Sequence, residues 1–154
     1  MIERPRLVQE DYIDTEHGPW KVLVICQCLN CAAWPMVEVV VKNLFMKYPS
    51  PESCDDISLD CDEPNELLAD LMNTLRCLGF GSKRANYMIN MSRQYVTGQR
   101  VFGDRYDRYR IAEFAGCGRY ALDAWDLFVL KRPCDPKDIH LRRYAIRAGL
   151  LKGE

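Results

Sequence analysis

The chain has 154 residues, of which 48% are hydrophobic and 28% are charged. This length and composition are typical of one globular domain that can bury a core, so we expect a single domain over residues 1–154. The longest apolar run, around Val22–Cys26, is far shorter than the roughly 18 residues of a membrane span, and the first residues lack the pattern of a signal peptide. We therefore predict an intracellular protein that has no membrane partner.

Helical spacing of apolar residues, with Pro and Gly as breakers, recurs along the chain, and strand patterns are nearly absent. After a polar N-terminal arm, the pattern predicts the helices Trp20–Asn30, Met36–Tyr48, Pro64–Leu78, Lys83–Tyr95, Arg105–Ala115, Arg119–Leu130 and Asp135–Gly149. Ser82 is expected to cap the fourth of these helices and Gly98 to close it. The acidic stretch Pro51–Glu63 is predicted to be a solvated loop, and the whole pattern predicts an all-α fold.

Charge is distributed unevenly along the chain, although its net value is only −1. Residues 1–75 contain 5 Lys or Arg against 14 Asp or Glu, whereas residues 76–154 contain 16 against 8. This asymmetry favours a polyanion-binding surface in the second half, although two solvated faces of opposite sign would give the same counts.

The eight cysteines do not form a metal-binding pattern. Cys28 and Cys31 have the Cys-x-x-Cys spacing, but no second pair follows at the separation that zinc sites use. The spacing therefore predicts reduced thiols, no metal and no cofactor.

Two glycines flank a single residue where one predicted helix ends and the next begins, in Gly116-Cys117-Gly118. Glycine permits a tight turn and a close approach of the backbone to a ligand. The first amides of the following helix have no partner inside the helix, and the helix dipole favours an anion there, so this turn can hold a phosphate. Such turns are also common for geometric reasons alone, but Arg119 and the basic second half favour a phosphate.

Asp138 lies at the start of the last predicted helix. In a purely structural interpretation, Asp135 caps this helix, Pro136 takes its first turn and Asp138 completes a capping box. A functional interpretation uses the same position, because a carboxylate on the first turn of a helix is stabilised by the dipole and can face a developing positive charge.

The order of several short segments along almost the whole chain is specific. These segments are Leu7–Glu10, Pro19–Lys21, Leu29–Asn30, Lys47–Ser50, Leu78–Gly79, Arg84–Ala85, Gly116–Tyr120 and Pro136–Asp138. Taken together, they resemble the helix-hairpin-helix/Gly-Pro-Asp superfamily of base-excision DNA glycosylases, which includes endonuclease III. The nearest likeness is to the thymine glycosylase domain found in methyl-CpG-binding repair proteins.

The resemblance implies a fold of two helical lobes with the active-site cleft between them, and it assigns catalysis to Asp138. Tyr120 would lie against a base flipped out of the DNA. Because the lyase members have a lysine at that position, Tyr120 implies a glycosylase without lysine-dependent strand cleavage. Gln9 would read a pyrimidine, and Leu78 would fill the gap that the flipped nucleotide leaves.

The resemblance also implies that Gly116, Cys117, Gly118 and Arg119 bind the DNA backbone. The partner of this protein, which we expect to be a monomer, would be double-stranded DNA with one flipped nucleotide. The sequence departs from the family pattern at Cys31, where the family has an arginine that contacts DNA, and at Cys117, where the hairpin has a branched aliphatic residue. The four-cysteine iron–sulfur run of some members is missing.

We therefore predict a monofunctional DNA N-glycosylase that removes a mismatched or modified pyrimidine, such as thymine, uracil or a 5-substituted uracil, in base excision. Two alternatives stay open. One is a virus-associated transferase of the same fold that modifies a flipped 5-substituted uracil without releasing the base. The other is a non-catalytic DNA-binding module in which Asp138 only caps a helix.

Overall fold

The computed structural model describes residues 6–57, 59, 65–102 and 106–153. Within these residues the secondary structure is helical and contains no strand, so the prediction of an all-α fold is confirmed. The α-helices are α1 (Val8–Tyr12), α2 (Gly18–Leu29), α3 (Trp34–Lys47), α4 (Pro51–Asp55), α5 (Glu66–Leu75), α6 (Gly81–Phe102), α7 (Arg108–Ile111), α8 (Arg119–Ala124) and α9 (Ile139–Arg147). A 3₁₀ helix, Arg76–Leu78, follows α5, and a π-helix, Trp125–Val129, continues α8. None of the described helices is both long and apolar enough to cross a membrane.

The core is built around α2. Trp20 and every residue from Val22 to Cys28 are buried, as is typical of a helix that is apolar on all faces. This helix packs against α1, α3, α6, α8 and the π-helix. Because so many elements contact it, α2 fixes where they lie relative to one another.

The helices around α2 form two groups that correspond to the two expected lobes. Contacts link α3, α4, α5 and α6 in one group, and α7, α8 and the π-helix in the other. Tyr95 of α6 joins the groups, because its ring packs edge-on against Tyr106, Phe114 and Trp125. Phe114 lies two residues before Gly116, so this aromatic cluster also helps to fix the position of the glycine turn.

Two short helices lie where the sequence predicted an arm and a loop. The N-terminal arm contains α1, at whose start the Glu10 carboxylate accepts a hydrogen bond from the Leu7 N–H (2.7 Å). The predicted loop is wrong over Pro51–Asp55, which form α4, because the Ser50 hydroxyl accepts from the Ser53 N–H (3.2 Å) and caps the helix. The rest of that loop lies partly outside the described residues, as do Cys61 and the predicted helix start at Pro64.

Gly98 does not close a helix, contrary to the prediction. α6 runs from Gly81 to Phe102, so Ser82 and Gly98 both lie inside it. A Cβ at Gly98 would lie 2.6 Å from the hydroxyl oxygen of Tyr106, whose ring packs onto the helix there. Glycine is therefore needed at this position for close packing and not for chain reversal.

The predicted helix Arg105–Ala115 is too long. α7 covers only Arg108–Ile111, and the chain continues as turns to Gly116. Arg105 itself lies outside the described residues. The turns matter for the site, because they bring the glycine pair to the start of α8.

Candidate active site

The turn before α8 is held by side chains of α2 and α6. The Gln27 amide donates to the Ala115 carbonyl (2.9 Å), and the Gln94 side-chain oxygen accepts from the Ala115 N–H (2.7 Å). Gly116 has a φ of 70°, and a Cβ there would lie 3.1 Å from Gln27 Nε2 and from Tyr87 Cβ. Position 116 therefore requires glycine both for its backbone conformation and for space.

Gly118 is the N-cap of α8 and supplies no side chain to satisfy the first amides of that helix. A Cβ at Gly118 would meet nothing within 4 Å, so this backbone is open to a ligand. The side chain of Cys117, between the two glycines, is 9% exposed and packs in the core, where burial raises the pKa of the thiol to about 12. Cys117 can therefore offer a ligand only its backbone.

Arg119 links α8 to the segment before α9. Its Nε lies 3.5 Å from Asp123 Oδ2, and its guanidinium donates to the Asp135 carbonyl (3.4 Å). The buried Asp123 is also paired with Arg108 at 3.1 Å. Since the Arg119 side chain is still 54% exposed, it can contact a ligand while it keeps these partners.

Asp138 is the N-cap of α9 and not a residue of its first turn, which corrects the predicted helix start at Asp135. Its Oδ1 accepts from the backbone N–H groups of His140 and Leu141, both at 2.9 Å. Asp135 does not cap the helix, because its carboxylate is paired with Arg142. Both cap bonds use one oxygen of Asp138, which leaves Oδ2 as the oxygen that can act in the cleft that Asp138 lines.

Gln9 and Tyr120 are joined by a hydrogen bond at the cleft wall. Gln9 is fully buried in α1, its Nε2 donates to the Tyr120 hydroxyl (2.9 Å), and the same nitrogen lies 3.8 Å from Cys26 Sγ. Gln9 Oε1 is buried and has no hydrogen-bond partner within the described part of the chain. Leaving such an atom unpaired costs about 1–3 kcal/mol. A hydrogen-bond donor of a ligand would recover this cost, but only after the Gln9 side chain, which is fully buried here, becomes accessible to it.

Burial keeps the Tyr120 phenol and the Cys26 thiol neutral. Desolvation is the main cause that raises the pKa of each group, and the negative charge of Asp138 contributes to both. Asp138 is therefore close enough to act electrostatically on the residues that surround Gln9.

One cleft of about 610 Å³ contains these groups. Of the residues predicted from the sequence, those that line it are Gln9, Gly116, Gly118, Arg119, Tyr120 and Asp138. Among the residues that the structure describes, the charged ones that line it are Arg6, Arg119 and Asp138, so two arginines lie there against one carboxylate. Such a balance favours a polyanionic ligand.

Leu78 does not line the cleft. It is 6% exposed and packs in the core, so it could enter a gap in DNA only by leaving the core. Phe80, by contrast, is 73% exposed and has a φ of 53°. Arg84 fixes this turn beside the cleft, because its guanidinium donates to the carbonyls of Gly79 and of the cleft residue Asn30, both at 2.7 Å.

Several solved structures are similar to this chain, including a thymine-DNA glycosylase and endonuclease III. A thermostable thymine-DNA glycosylase aligns with a TM-score of 0.60 and 18% sequence identity, over 79% of this chain and 51% of its own. Endonuclease III, in a non-covalent complex with DNA, aligns with a TM-score of 0.64 and 19% identity, over 87% of this chain and 58% of its own. The chain has the helix-hairpin-helix DNA glycosylase fold.

A relative by sequence is similar to most of the chain. The methyl-CpG-binding domain protein 4-like protein of Arabidopsis thaliana is 28% identical over 122 residues, which are 79% of this chain and 23% of that protein. The chain thus spans about a quarter of that relative and between half and three fifths of the two solved glycosylase chains. No protein-family model matches the chain.

Within this glycosylase fold, sequence reasoning missed several residues of the cleft. Cys26 is one of a run of buried residues in α2, and nothing in an apolar helix indicates which side chain meets a pocket. Trp34 and His140 also line the cleft. Trp34 could have been found, because it lies between the predicted helices Trp20–Asn30 and Met36–Tyr48, where a large apolar side chain is not needed for the core.

Proposed function

We propose that this chain is a monofunctional DNA N-glycosylase, which hydrolyses the bond between a flipped-out pyrimidine and its deoxyribose. One observation carries the proposal: Asp138 lines the same cleft as the hydrogen-bonded pair of Gln9 and Tyr120 and the turn from Gly116 to Gly118. The DNA glycosylase fold of the chain supports it.

The DNA backbone would be held by the glycine turn. The open backbone at Gly118 and the first amides of α8 offer donors to phosphate oxygens, and Arg119 adds a positive charge. Chemistry on a stacked base requires the nucleotide to leave the duplex, at a cost of a few kcal/mol. The exposed Phe80, and not the buried Leu78, is our candidate for the side chain that occupies the space left behind.

The free oxygen of Gln9 would read the base. Uracil and thymine carry a hydrogen-bond donor at N3, whereas cytosine carries an acceptor there. Gln9 Oε1 is a buried acceptor that has no partner among the described residues, so the N3–H of a uracil-type base would complete it, whereas cytosine would have to shift in the pocket to present its 4-amino group instead. The proposed substrates are therefore thymine, uracil and 5-substituted uracils.

Asp138 would act on the sugar. As the bond to the base breaks, its electron pair leaves with the pyrimidine and the sugar becomes oxocarbenium-like, so a carboxylate nearby stabilises the charge that develops at C1′. Water then adds to C1′ and gives its proton to the carboxylate or to solvent. The cap bonds to Oδ1 fix the carboxylate. Oδ2, which accepts neither of these bonds, is the oxygen that we expect to face this chemistry.

No lysine lines the cleft in the part of the chain that the structure describes, and the position of the family's lysine is Tyr120. A neutral phenol cannot form the Schiff base that a lysine amine forms with the sugar. The expected products are thus free base and intact abasic DNA.

The test is incubation with duplexes that carry uracil, thymine or 5-hydroxymethyluracil opposite guanine or adenine, followed by alkali to reveal abasic sites. Asp138→Asn should lower the rate by at least about 100-fold, a typical loss when a group that stabilises transition-state charge is removed. Asparagine is as good an N-cap as aspartate, so this variant removes the charge and keeps the cap. Asp135→Asn, whose carboxylate pairs with Arg142, is the matched control and should keep full activity.

The products separate the proposal from its two alternatives. Free base and abasic DNA support the glycosylase. A modified base that stays attached to the sugar would indicate the transferase instead. If the protein binds DNA, forms neither product and binds equally well as the Asp138→Asn variant, it is a non-catalytic module.

A further inference from the structure

The three tryptophans of the chain differ in their surroundings. Trp20 and Trp125 are fully buried, and their indole N–H groups donate to Ser92 Oγ (3.0 Å) and to the Tyr106 carbonyl (2.7 Å). Trp34 is 42% exposed and lines the cleft. Among the described residues, no aromatic ring and no side-chain hydrogen bond partners its indole.

The local backbone holds Trp34 at the start of α3, among the residues that line the cleft. Cys31 has a φ of 58° and turns the chain away from the end of α2, and α3 begins at Trp34. The residues between them, Ala32 and Ala33, have side chains too small to cover an indole. Pro35 then fixes the backbone of the first turn. An exposed aromatic in such a rigid position is arranged for contact with a ligand and not for the core.

The cleft has room for more than one base. Its volume of about 610 Å³ lies within the range of pockets that hold a drug-sized ligand, which is more than a single pyrimidine ring requires. Gln9 belongs to α1 and Tyr120 to α8, whereas Trp34 begins α3. The indole is therefore contributed by a different element from the residues that form the proposed base pocket. The excess of arginine over carboxylate in the lining suits a nucleic acid better than an apolar peptide.

We propose that Trp34 is a stacking surface for a second nucleobase, namely the base that loses its partner when the first enters the pocket of Gln9 and Tyr120. This inference rests on the function proposed above. When one nucleotide leaves the duplex, the base opposite it has no pairing partner. Every base has a π-face, so stacking on an indole tolerates any sequence at that position.

The experiment compares two duplexes that contain an abasic tetrahydrofuran residue in place of the target nucleotide. In the first duplex guanine lies opposite it, and in the second another tetrahydrofuran does, so that only the first contains an unpaired base. Binding is measured at one fixed salt concentration, because affinity for DNA depends on salt. The variants are Trp34→Ala, Trp34→Phe and, as a matched control, Tyr109→Ala, which removes an aromatic residue that is 80% exposed and does not line the cleft.

The wild type should prefer the duplex with the unpaired guanine by at least about fivefold, the lower end of what one stacked base contributes. Trp34→Ala should abolish this preference, Trp34→Phe should keep part of it, and Tyr109→Ala should keep all of it. Because the other two tryptophans are buried, tryptophan fluorescence should be quenched by the first duplex, and Trp34→Phe should remove the quenching.

Failure of this inference can be told apart from failure of the proposed function. If base release occurs and needs Asp138, but Trp34→Ala keeps the preference, the stacking role is wrong and the glycosylase proposal survives. If the wild type binds neither duplex and releases no base, both are wrong. Equal binding of the two duplexes by the wild type would also overturn the stacking role.

Discussion

Gln9 and Tyr120 lie 111 positions apart in the sequence and are joined by a 2.9 Å hydrogen bond from the amide to the phenol oxygen. The bond fastens the five-residue helix α1 to α8 and fixes which way the amide of Gln9 points. It thereby leaves Oε1 as a buried acceptor that has no partner among the described residues. The orientation of one amide is thus the proposed basis for distinguishing a uracil-type base from cytosine.

Tyr120→Phe should therefore lower both the stability of the fold and the preference for uracil over cytosine. The ring remains, but Gln9 Nε2 loses its hydroxyl partner, so we expect the free energy of unfolding to fall by about 1–2 kcal/mol. The amide can then rotate, and the ratio of rates on uracil and cytosine opposite guanine should fall. Urea unfolding and initial rates on the two duplexes measure these effects. Tyr109→Phe, at a surface position, is the control, and an unchanged rate ratio in Tyr120→Phe would contradict the role given to Gln9.

Alanine substitutions at Gly116 and Gly118 should affect different properties of the protein. Gly116→Ala places a Cβ on a backbone with positive φ and 3.1 Å from Gln27, so the free energy of unfolding should fall by about 1–3 kcal/mol. Gly118→Ala places a Cβ in open space and should cost less than about 1 kcal/mol, yet it should weaken DNA binding, because the added methyl lies on the backbone that we expect to meet phosphate. Thermal unfolding measures the loss of stability, and titration with duplex DNA measures the loss of binding. Equal loss of stability in both variants would contradict the difference in packing.

Much of the site could be predicted because its residues occur in an ordered series of local motifs. The turn from Gly116 to Gly118 and the aspartate at the start of α9 are each defined by a few neighbouring residues. The exact helix start was missed, because Asp135 and Asp138 are both suitable caps and only the pairing of Asp135 with Arg142 decides between them.

The rest depends on contacts between residues far apart in the chain. Gly98 looks like a helix terminator, and only the ring of Tyr106 explains why a helix needs a glycine there. Leu78 continues the apolar spacing of Leu71 and Leu75, and all three side chains are buried. Phe80 is exposed in a turn where its φ is positive, and the spacing of apolar residues predicts neither of these features.

Arg84 should be essential for the geometry of the cleft edge. Its guanidinium is buried at the C-terminal end of α2 and donates to the carbonyls of Gln27, Cys28, Asn30, Leu78 and Gly79. A lysine ammonium has fewer donors and no planar fork, so Arg84→Lys should lower the free energy of unfolding by about 2–4 kcal/mol. Arg76→Lys, at an exposed position of the preceding turn, should change it little.

Amide hydrogen exchange gives Arg84→Lys a second readout. The turn of Gly79 and Phe80 should exchange faster in this variant than in the wild type, because the guanidinium no longer ties it to the end of α2. Unchanged exchange together with wild-type stability would show that the carbonyls find other partners.

Stability should fall in alkaline solution because of the buried thiols. Burial is the main cause that raises the pKa of Cys28, Cys54 and Cys117 to about 12, whereas a thiol in the unfolded chain ionises near pH 9. Between these values the folded state binds more protons than the unfolded state, so the stabilisation is complete below about pH 9 and is lost as the pH rises toward about 12. In that window, each thiol lowers the free energy of unfolding by up to about 1.4 kcal/mol for each unit by which the pH rises.

Urea unfolding under reducing conditions at about pH 8 and about pH 10 tests this loss, and two cysteine variants assign it. Cys54→Ala removes a buried thiol and should reduce the dependence of stability on pH, even though the small cavity lowers stability at both pH values. Cys77→Ala removes an exposed thiol and should leave the dependence unchanged. If Cys54→Ala loses as much stability between the two pH values as the wild type does, ionisation of the buried thiol is not what destabilises the fold.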